Sequence, residues 1–239
     1  MRIGIFGRGR LGSAIATHAG DNVSWVIGRL GTPATDVDVV IEASAASAVE
    51  SHLEWAIENE KPVVIGTSGW SIPDLESRVG RKIGVVVAPN FSIAVALMAR
   101  LATVMGRFAN ADRLRDPYLL EHHHMAKSDA PSGTARMLAN RIIEACPRKS
   151  GWKIGGPLEP SMLSVGVLRA GATYCSHVLG VDHPSEVIEI RHEARSAAVF
   201  AAGALQAAAW IRDKKGVHDF SEIVAPTLDA IFNFDKGKS

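Results

Sequence analysis

Short apolar runs alternate with helix-length amphipathic segments between residues 1 and 93. This alternation is typical of a parallel sheet covered by helices, so it predicts an α/β domain. The link "GRLGTPAT" after the second run is too short for a crossover helix of any length. The predicted strands are "RIGIF", "VSWVI", "DVVIEA", "PVVIG" and "IGVVVA". The predicted helices cover Leu11 to His18, Ala48 to Glu58, Pro73 to Val79 and Ile93 to Met105.

The pattern changes after Arg107, where strand-like segments become more frequent. "PYLLEHHH" predicts a strand, "SGTARMLANRIIEA" a helix and "CPRKSGWKIGGPLEP" a loop. Further strands are predicted at "MLSVGVLRA", "ATYCSHVLGV" and "EVIEIRHEA", with a hairpin turn at Asp182 to Ser185 between the last two. These segments indicate a second, α+β domain built on a mixed or antiparallel sheet. Two final helices, Ser196 to Arg212 and Ser221 to Phe232, would pack back on the first domain.

Charge and composition narrow the class of protein. Lys and Arg number 26 against 25 Asp and Glu, so the net charge of +1 gives no general attraction to nucleic acid or to an anionic membrane. The apolar stretch "SIAVALMARLATVMG" is interrupted by Arg100, and "MRIGIFGRG" enters a strand without a signal peptide's apolar region. A cytoplasmic protein is therefore expected. Cys146 and Cys175 are too far apart in sequence to suggest a disulfide framework or a thiolate zinc site.

A glycine motif follows the first predicted strand. Gly7, Gly9 and Gly12 have the G-x-G-x-x-G spacing at a strand-to-helix turn, where glycine allows a tight turn and close approach of a pyrophosphate. The motif predicts a Rossmann-type dinucleotide site; the alternative is a plain glycine turn. The second strand ends in Gly28 and Arg29 instead of an acidic residue, which favours NADPH over NADH. A solvated Arg29, or use of both cofactors, remains the alternative.

Two further loops belong to the same predicted cofactor region. "GTSG" and "APNFS" follow the fourth and fifth strands, and an open parallel sheet binds ligands at the carboxyl ends of its strands. The predicted cofactor-binding residues are Gly7, Arg8, Gly9, Arg10, Leu11, Gly12, Arg29, Gly66, Thr67, Ser68, Ala88, Pro89, Asn90 and Phe91.

Three consecutive histidines, His122 to His124, allow several interpretations: a metal site, a purification remnant, a solvated basic turn or part of an active site. Zinc ligands favour spacings such as i and i+4 on a helix, and none is present here. Consecutive strand residues face opposite ways, so His122 and His124 share one face and His123 points to the other. The run is also internal, which argues against a tag. No metal is expected at these residues.

The residues after the histidines favour an anion site. Lys127 is followed by "DAPSGT", in which Asp129 and Ser132 are candidate helix caps. A helix N-terminus beside a lysine and imidazoles suits a small carboxylate, and an imidazole can protonate an atom that has just accepted a hydride. A solvated basic turn is the alternative.

The run "EHHHMAKSDAPSGTA" resembles the signature E-x-H-H-x-x-K-x-D-A-P-S-G-T-A of the 4-hydroxy-tetrahydrodipicolinate reductase family, also called dihydrodipicolinate reductases. "GRLG", "VIGTSGW", "APNFSIAV" and the block "EVIEIRHEARSAAVFAAGALQAAAWI" are similar to other family motifs, in the same order. The resemblance implies a cofactor domain, 1–93 with 204–239, and a substrate and tetramerisation domain, 94–203, joined by a closing hinge. It also implies reduction of a cyclic dicarboxylate on the route to diaminopimelate and lysine.

The resemblance assigns roles to the residues of the central run. His123 matches the proton donor, and Lys127 matches the second catalytic residue and a substrate ligand. The substrate-binding residues implied are His124, Lys127, Ser132, Gly133 and Thr134. His122 is left with a structural role.

The chain departs from the family pattern in several blocks. The glycine loop is one residue shorter, "EASAAS" replaces D-F-[ST]-x-P, and "AGATYCSH" replaces G-D-x-x-G-E-H. Two alternatives to the reductase therefore stay open: a nucleotide-binding homologue without turnover, and a reductase of another cyclic dicarboxylate imine.

Overall fold

The computed structural model describes residues 1–233. The strands are β1 (Ile3–Phe6), β2 (Val23–Ile27), β3 (Val39–Glu42), β4 (Val63–Ile65), β5 (Gly84–Val87), β6 (Asp116–His123), β7 (Gly151–Ile154), β8 (Met162–Arg169), β9 (Cys175–His183), β10 (Glu186–Ala194) and β11 (Gly216–Asp219). The helices are α1 (Arg10–Ala19), α2 (Val49–Glu58), α3 (Leu75–Val79), α4 (Ile93–Asn110), α5 (Gly133–Ala145), α6 (Ala198–Ile211) and α7 (Phe220–Phe232), with 3₁₀ turns at Gly20–Asn22 and Ala46–Ala48.

The chain divides into two units. The first comprises Met1–Ile93 and the chain from Ala197 onward, and the second comprises Ala94–Ser196. The later boundary lies at Ala197 and not at 204, because 204 falls inside α6, whose residues pack as a whole on the first unit. Gly203 of this helix lies directly against the carbonyl oxygen of Phe91, an approach that a side chain would block.

The first unit is built on a six-stranded parallel sheet of order β11-β5-β4-β3-β1-β2. Every residue of β1, β3 and β4 is buried, as expected for strands covered on both faces. The five predicted strands and the absence of a helix between β2 and β3 are confirmed. The sixth strand, β11, was not predicted; it is a four-residue edge strand without a buried residue. A Rossmann-type α/β fold is therefore confirmed.

The second unit is built on a five-stranded mixed sheet of order β10-β9-β6-β8-β7. Strands β6, β7 and β8 run parallel to one another, and β9 pairs antiparallel with both β6 and β10. Helix α5 covers one face and buries Leu138 and Ile142 against Leu119 and Leu163. The predicted loop at "CPRKSGWKIGGPLEP" is wrong in part, because it contains the edge strand β7, with only half-buried and exposed residues.

Helix α4 is the one described helix whose length and apolar composition would suit a membrane span. Its buried residues Met98 and Ala102 pack with Leu119 and Leu138 in the core of the second unit. Arg100 and Arg107 lie in the same helix. These contacts identify α4 as a core helix of a folded domain.

Candidate active site

The loop between β1 and α1 requires glycine at two positions. Gly7 has a φ of +111°, and a side chain there would collide with the carbonyl oxygen of Ala43. A side chain at Gly12 would collide with the Gly7 carbonyl oxygen. At Gly9, by contrast, a Cβ would meet no atom within 4 Å. The loop is therefore held tightly against β3 on one side and is open at Gly9.

The start of α1 has the features of an anion site. Its N-cap residue is Gly9, which supplies no side-chain cap, and its first turn contains no acidic residue. Backbone N–H groups at such a helix start attract an anion. Thr67, in the loop after β4, has a buried Oγ1 atom without a hydrogen-bond partner among the described residues. The residues present therefore fit a phosphate-bearing cofactor.

Three of the predicted cofactor residues, one from each predicted loop, lie close together. A Cβ at Gly66 would meet the Leu11 side chain at 2.9 Å and the Phe91 ring at 3.3 Å, so these three predicted residues are brought together. Ala88 is buried, Ser68 and Pro89 are exposed, and the Ser92 amide donates to Asn90 Oδ1 at 2.8 Å.

Two arginines lie near the carboxyl end of β2. Arg8 donates to the carbonyl oxygen of Val26 at 2.8 Å through Nη2 and at 3.2 Å through Nε. A Cβ at Gly28 would lie 3.6 Å from the Arg8 side chain. Arg29 follows Gly28 and is exposed. The region after β2 is therefore basic.

In the second unit, β6 carries alternate residues of the histidine run to its two faces. Glu121 and His123 are buried, while His122 is half-buried. Glu121 pairs across the sheet with His177 of β9, and His123 pairs with Arg169 of β8. His122 points elsewhere, with Nε2 at 2.9 Å from the Ala170 carbonyl oxygen, in agreement with a structural role.

Arg169 connects the acidic and basic groups of this site. It donates from Nη2 to Glu121 Oε1 at 2.6 Å and to the Asp129 carbonyl oxygen at 2.6 Å. Its Nη1 lies 3.5 Å from His123 Nδ1. Glu121 Oε2 lies 3.6 Å from the same His123 nitrogen. The carboxylate and the guanidinium thus both face one edge of the imidazole.

Burial and neighbouring groups together set the protonation states of Glu121 and His123. Burial would raise the pKa of Glu121, but hydrogen bonds from Ser132 and Arg169 outweigh it and hold that pKa below the usual value. Burial lowers the pKa of His123 to about 4; Glu121 opposes this change, and Lys127 and Arg169 add to it. Glu121 is therefore ionised and His123 neutral near pH 7.

Helix α5 begins at the site. The Ser132 hydroxyl accepts from the Ala135 amide at 3.1 Å, and the Ser132 amide donates to both Glu121 carboxylate oxygens at 3.0 and 3.1 Å. Ser132 is thus the N-cap of the helix, as predicted. At Gly133 a Cβ would meet no atom within 4 Å, and the first turn contains no acidic residue. The helix start is therefore open to an anion.

The loop between β6 and α5 carries the remaining predicted residues. His124 directly follows β6 and is half-buried, and Thr134 is buried in the first turn of α5. Lys127 Nζ lies 2.6 Å from Asp129 Oδ1, with about a quarter of its side chain exposed. The structure therefore brings a lysine, histidines and a helix start into one region of the second unit.

Sequence comparison decides the family. Residues 93–224 match the family model described as "Dihydrodipicolinate reductase, C-terminus", and residues 17–91 match "Dihydrodipicolinate reductase, N-terminus". The chain belongs to the dihydrodipicolinate reductase family. The glycine loop at Gly7 to Gly12 lies before the N-terminal match begins.

Individual relatives agree with this assignment. The chain is 31% identical over 254 residues to a 4-hydroxy-tetrahydrodipicolinate reductase of Zymomonas mobilis, a match that covers 94% of the chain and 97% of the relative. It is 32% identical to the same enzyme of Syntrophus aciditrophicus, covering 78% of the chain and 73% of the relative. The relatives are oxidoreductases by name.

A solved structure has the same fold. The dipicolinate-bound dihydrodipicolinate reductase of Paenisporosarcina sp. TG-14 matches with a TM-score of 0.69 at 22% identity, covering 92% of this chain and 97% of that one. Both the parallel and the mixed sheet of this chain are thus those of the dihydrodipicolinate reductase fold.

Sequence reasoning missed two site residues of this reductase-family chain. Arg169 and His177 reach Glu121 only because β8 and β9 pair with β6 on opposite sides. Glu121 itself could have been found, because it opens the family signature. Arg169 lies in "LRAG", but no spacing rule connects that segment to the histidine run.

The free energy of unfolding should decrease as the pH falls below about 6.5, which is the usual pKa of a histidine side chain. Burial lowers the pKa of His123 to about 4 and that of His177 to about 3, so the unfolded chain takes up these protons first. The contribution of the neutral, buried imidazoles to stability is complete above pH 6.5. It is lost as the pH falls towards the pKa values of these rings in the folded chain. Each imidazole contributes about 1.4 kcal/mol per pH unit within its window.

Urea unfolding midpoints measured at a series of pH values test this. A His177→Gln variant should show a smaller pH slope than the original chain, since it removes one of the three imidazoles, His123, His177 and His192, whose pKa is lowered by burial. A flat stability profile between about pH 7 and pH 5 would contradict the assigned burial of His123 and His177.

Proposed function

We propose that the chain is a cytoplasmic 4-hydroxy-tetrahydrodipicolinate reductase, which forms tetrahydrodipicolinate on the route to diaminopimelate and lysine. A hydride and a proton are added to the substrate, and water leaves. The observation that supports this most strongly is the buried His123, held between Glu121 and Arg169 beside the open start of α5. We assign the first unit to the cofactor and the second to the substrate.

His123 is the proton donor in this proposal. In the protein alone its imidazole is neutral near pH 7, because burial lowers its pKa to about 4. A bound dicarboxylate places negative charge beside the ring, and such charge raises the pKa of an imidazole. Substrate binding would therefore favour protonation of His123, so that the imidazole carries its proton when the substrate is bound.

The carboxylates of the substrate need cationic and N–H partners. Lys127, His124 and the first turn of α5 at Gly133 and Thr134 are proposed to supply them. The contact between Lys127 and Asp129 is partly exposed, so a substrate carboxylate can compete for the ammonium group. Ser132 acts differently, because its amide and hydroxyl hold the helix start in position.

The glycine loop, Thr67 and the residues around Gly66 are proposed to hold a nicotinamide dinucleotide. When bound, it supplies the hydride. The open position at Gly9 and the uncapped start of α1 would bind its pyrophosphate, and the Thr67 hydroxyl offers a further hydrogen bond. Glycine at positions 7 and 12 keeps this loop close to β3.

A coupled assay tests the function. The purified chain should oxidise NADPH or NADH when it is supplied with the product of dihydrodipicolinate synthase. Both nicotinamides are run in parallel, and circular dichroism verifies that the sample is folded. A folded protein that binds either dinucleotide without turnover would refute the reductase and favour the nucleotide-binding homologue; turnover only with another cyclic dicarboxylate imine would change the substrate.

NADPH is proposed as the preferred cofactor, because Arg8 and Arg29 make the region after β2 basic. Arg29→Ala should raise KM for NADPH by about 10- to 100-fold, the loss expected for a charge-assisted contact, and change KM for NADH little. Arg81→Ala is the control, since Arg81 is an exposed arginine elsewhere in the same unit. Equal effects of Arg29→Ala on both cofactors would refute a 2'-phosphate role.

We also propose a homotetramer formed through the mixed sheet. Leu120 of β6 and Leu168 of β8 are about half exposed, on the face opposite to Glu121 and His123. Apolar side chains exposed on adjacent strands mark a surface that another chain covers. Analytical ultracentrifugation gives the mass directly, and a monomer at micromolar concentration would contradict the proposal.

A further inference from the structure

A cysteine and two histidines lie together on β9 and β10, outside the residues assigned to proton donation. Cys175 and His177 are two residues apart on β9 and share a face, and His192 of β10 is the direct cross-strand partner of His177. Cys175 and His177 are 4% and 1% exposed, and His192 is half-buried. Each offers one donor atom, and these atoms all lie within 4.8 Å of one another.

Each of the two histidines has a ring nitrogen that is available to bind a metal. The Nδ1 atoms of His177 and His192 are both buried and have no hydrogen-bond partner among the described residues. An unpaired buried polar atom is costly, so it calls for a ligand or another explanation. Burial also lowers the pKa of both rings, that of His177 to about 3, so each presents a neutral nitrogen near pH 7.

The surroundings of His177 match those of a metal-bound histidine. Its Nε2 lies 3.4 Å from Ser132 Oγ and 3.8 Å from Glu121 Oε2, an arrangement that suits the tautomer with the proton on Nε2 and a lone pair on Nδ1. Metal-binding histidines regularly turn their second nitrogen to a carboxylate in this way, which fixes the tautomer and increases ligand basicity.

We propose that Cys175, His177 and His192 form a binding site for Zn²⁺. One sulfur and two imidazole nitrogens are donors that zinc prefers, and three protein ligands leave a fourth position for water or another group. Tetrahedral zinc bonds place such donors about 3.5 Å apart, so the donor atoms, which now lie within 4.8 Å of one another, would have to move closer on binding. The pattern G-D-x-x-G-E-H has glycine at the position that Cys175 occupies in "AGATYCSH".

The proposal differs from the expectation, drawn from sequence spacing, that neither cysteine takes part in a thiolate zinc site. Sequence spacing does not reveal this cluster, because His192 lies on the strand next to Cys175 and His177 and is brought to them by sheet register. The alternative cluster of Glu121, His123 and His177 is less suitable for a cation, because Arg169 already neutralises the Glu121 carboxylate at 2.6 Å.

Metal binding to the full chain tests the proposal without any measurement of activity. The protein is treated with a chelator, desalted and titrated with Zn²⁺, and bound metal is counted by mass spectrometry. One Zn²⁺ per chain is expected. Cys175→Ser and His192→Gln should each weaken binding by more than about 100-fold. Cys146→Ser is the matched control, because Cys146 is the other buried free thiol and should leave binding unchanged.

Cobalt gives a second, independent measurement. Co²⁺ bound to the original chain and to Cys146→Ser should show a thiolate-to-metal absorption band in the near ultraviolet, and Cys175→Ser should lack it. Thermal unfolding in chelator verifies that each variant is folded. Full zinc stoichiometry in Cys175→Ser, or no zinc bound to the original chain, would overturn the proposal whether or not the reductase assay succeeds.

Discussion

Replacing His123 with alanine is expected to lower kcat for reduction by about 10²- to 10⁴-fold, the usual contribution of a positioned general acid. The imidazole is buried and its Nδ1 edge faces Arg169 and Glu121, which hold it in position. KM should change much less, because the proposed carboxylate ligands remain. Steady-state kinetics in the coupled assay measure both constants.

His122→Ala is the matched control for this variant. It removes an imidazole from the next position of β6, one that contacts the Ala170 carbonyl oxygen and no group of the proposed acid site. Its kcat should stay within a few-fold of the original value. If His123→Ala kept a comparable kcat, the proton would have to come from another group, and the assignment of His123 would be wrong.

Arg169→Met should destabilise the fold by about 3–5 kcal/mol, because it leaves a buried carboxylate without its cation. Glu121 is 2% exposed, and apart from Arg169 its carboxylate has the Ser132 amide and imidazoles that are neutral near pH 7. The pKa of His123 should also rise, since a positive charge is removed and Glu121 is left unneutralised. Urea unfolding measures the first effect, and NMR titration of the histidines the second.

Arg191→Met is the matched control for Arg169→Met, because it removes an arginine from an exposed ion pair instead of a buried one. Arg191 contacts Glu193 at 2.5 Å, nearly the same distance as the Arg169 pair, but both side chains are largely exposed. Solvent screens such a pair, so the change in unfolding free energy should be under about 1 kcal/mol. Similar losses in the two variants would show that the Glu121 site does not depend on its buried cation.

The sequence predicted the long, strongly patterned elements and missed the short edge strands. β3, β4 and β5 are continuous apolar runs because both of their faces are buried, and such runs are easily read. β7 and β11 have four residues each and none buried, so their sequences lack the apolar alternation that marks a strand. Their pairing depends on the neighbouring strands, which a local pattern does not contain.

The residues of the candidate site also differ in whether the sequence could identify them. His123, Lys127 and the cap at Ser132 lie within one short run, where local chemistry and family resemblance could identify them. Strand register brings Arg169 and His177 to that run, and it places His192 opposite His177, next to Cys175. Residue types alone do not fix register, which is why a cysteine judged solitary in the sequence has two histidine neighbours in the fold.

The alternation of side chains between the two faces of β6 also limits where residues can be inserted into or deleted from this enzyme. Glu121 and His123 point to the covered face, and Leu120 and His122 to the other. Because the side-chain period of a strand is two, inserting or deleting one residue inside β6 would exchange the faces. The acid would move to the outer surface, and a leucine would be buried against Arg169. Natural variation in length should therefore be found in the loops after His123 and Ala170, and not within this strand.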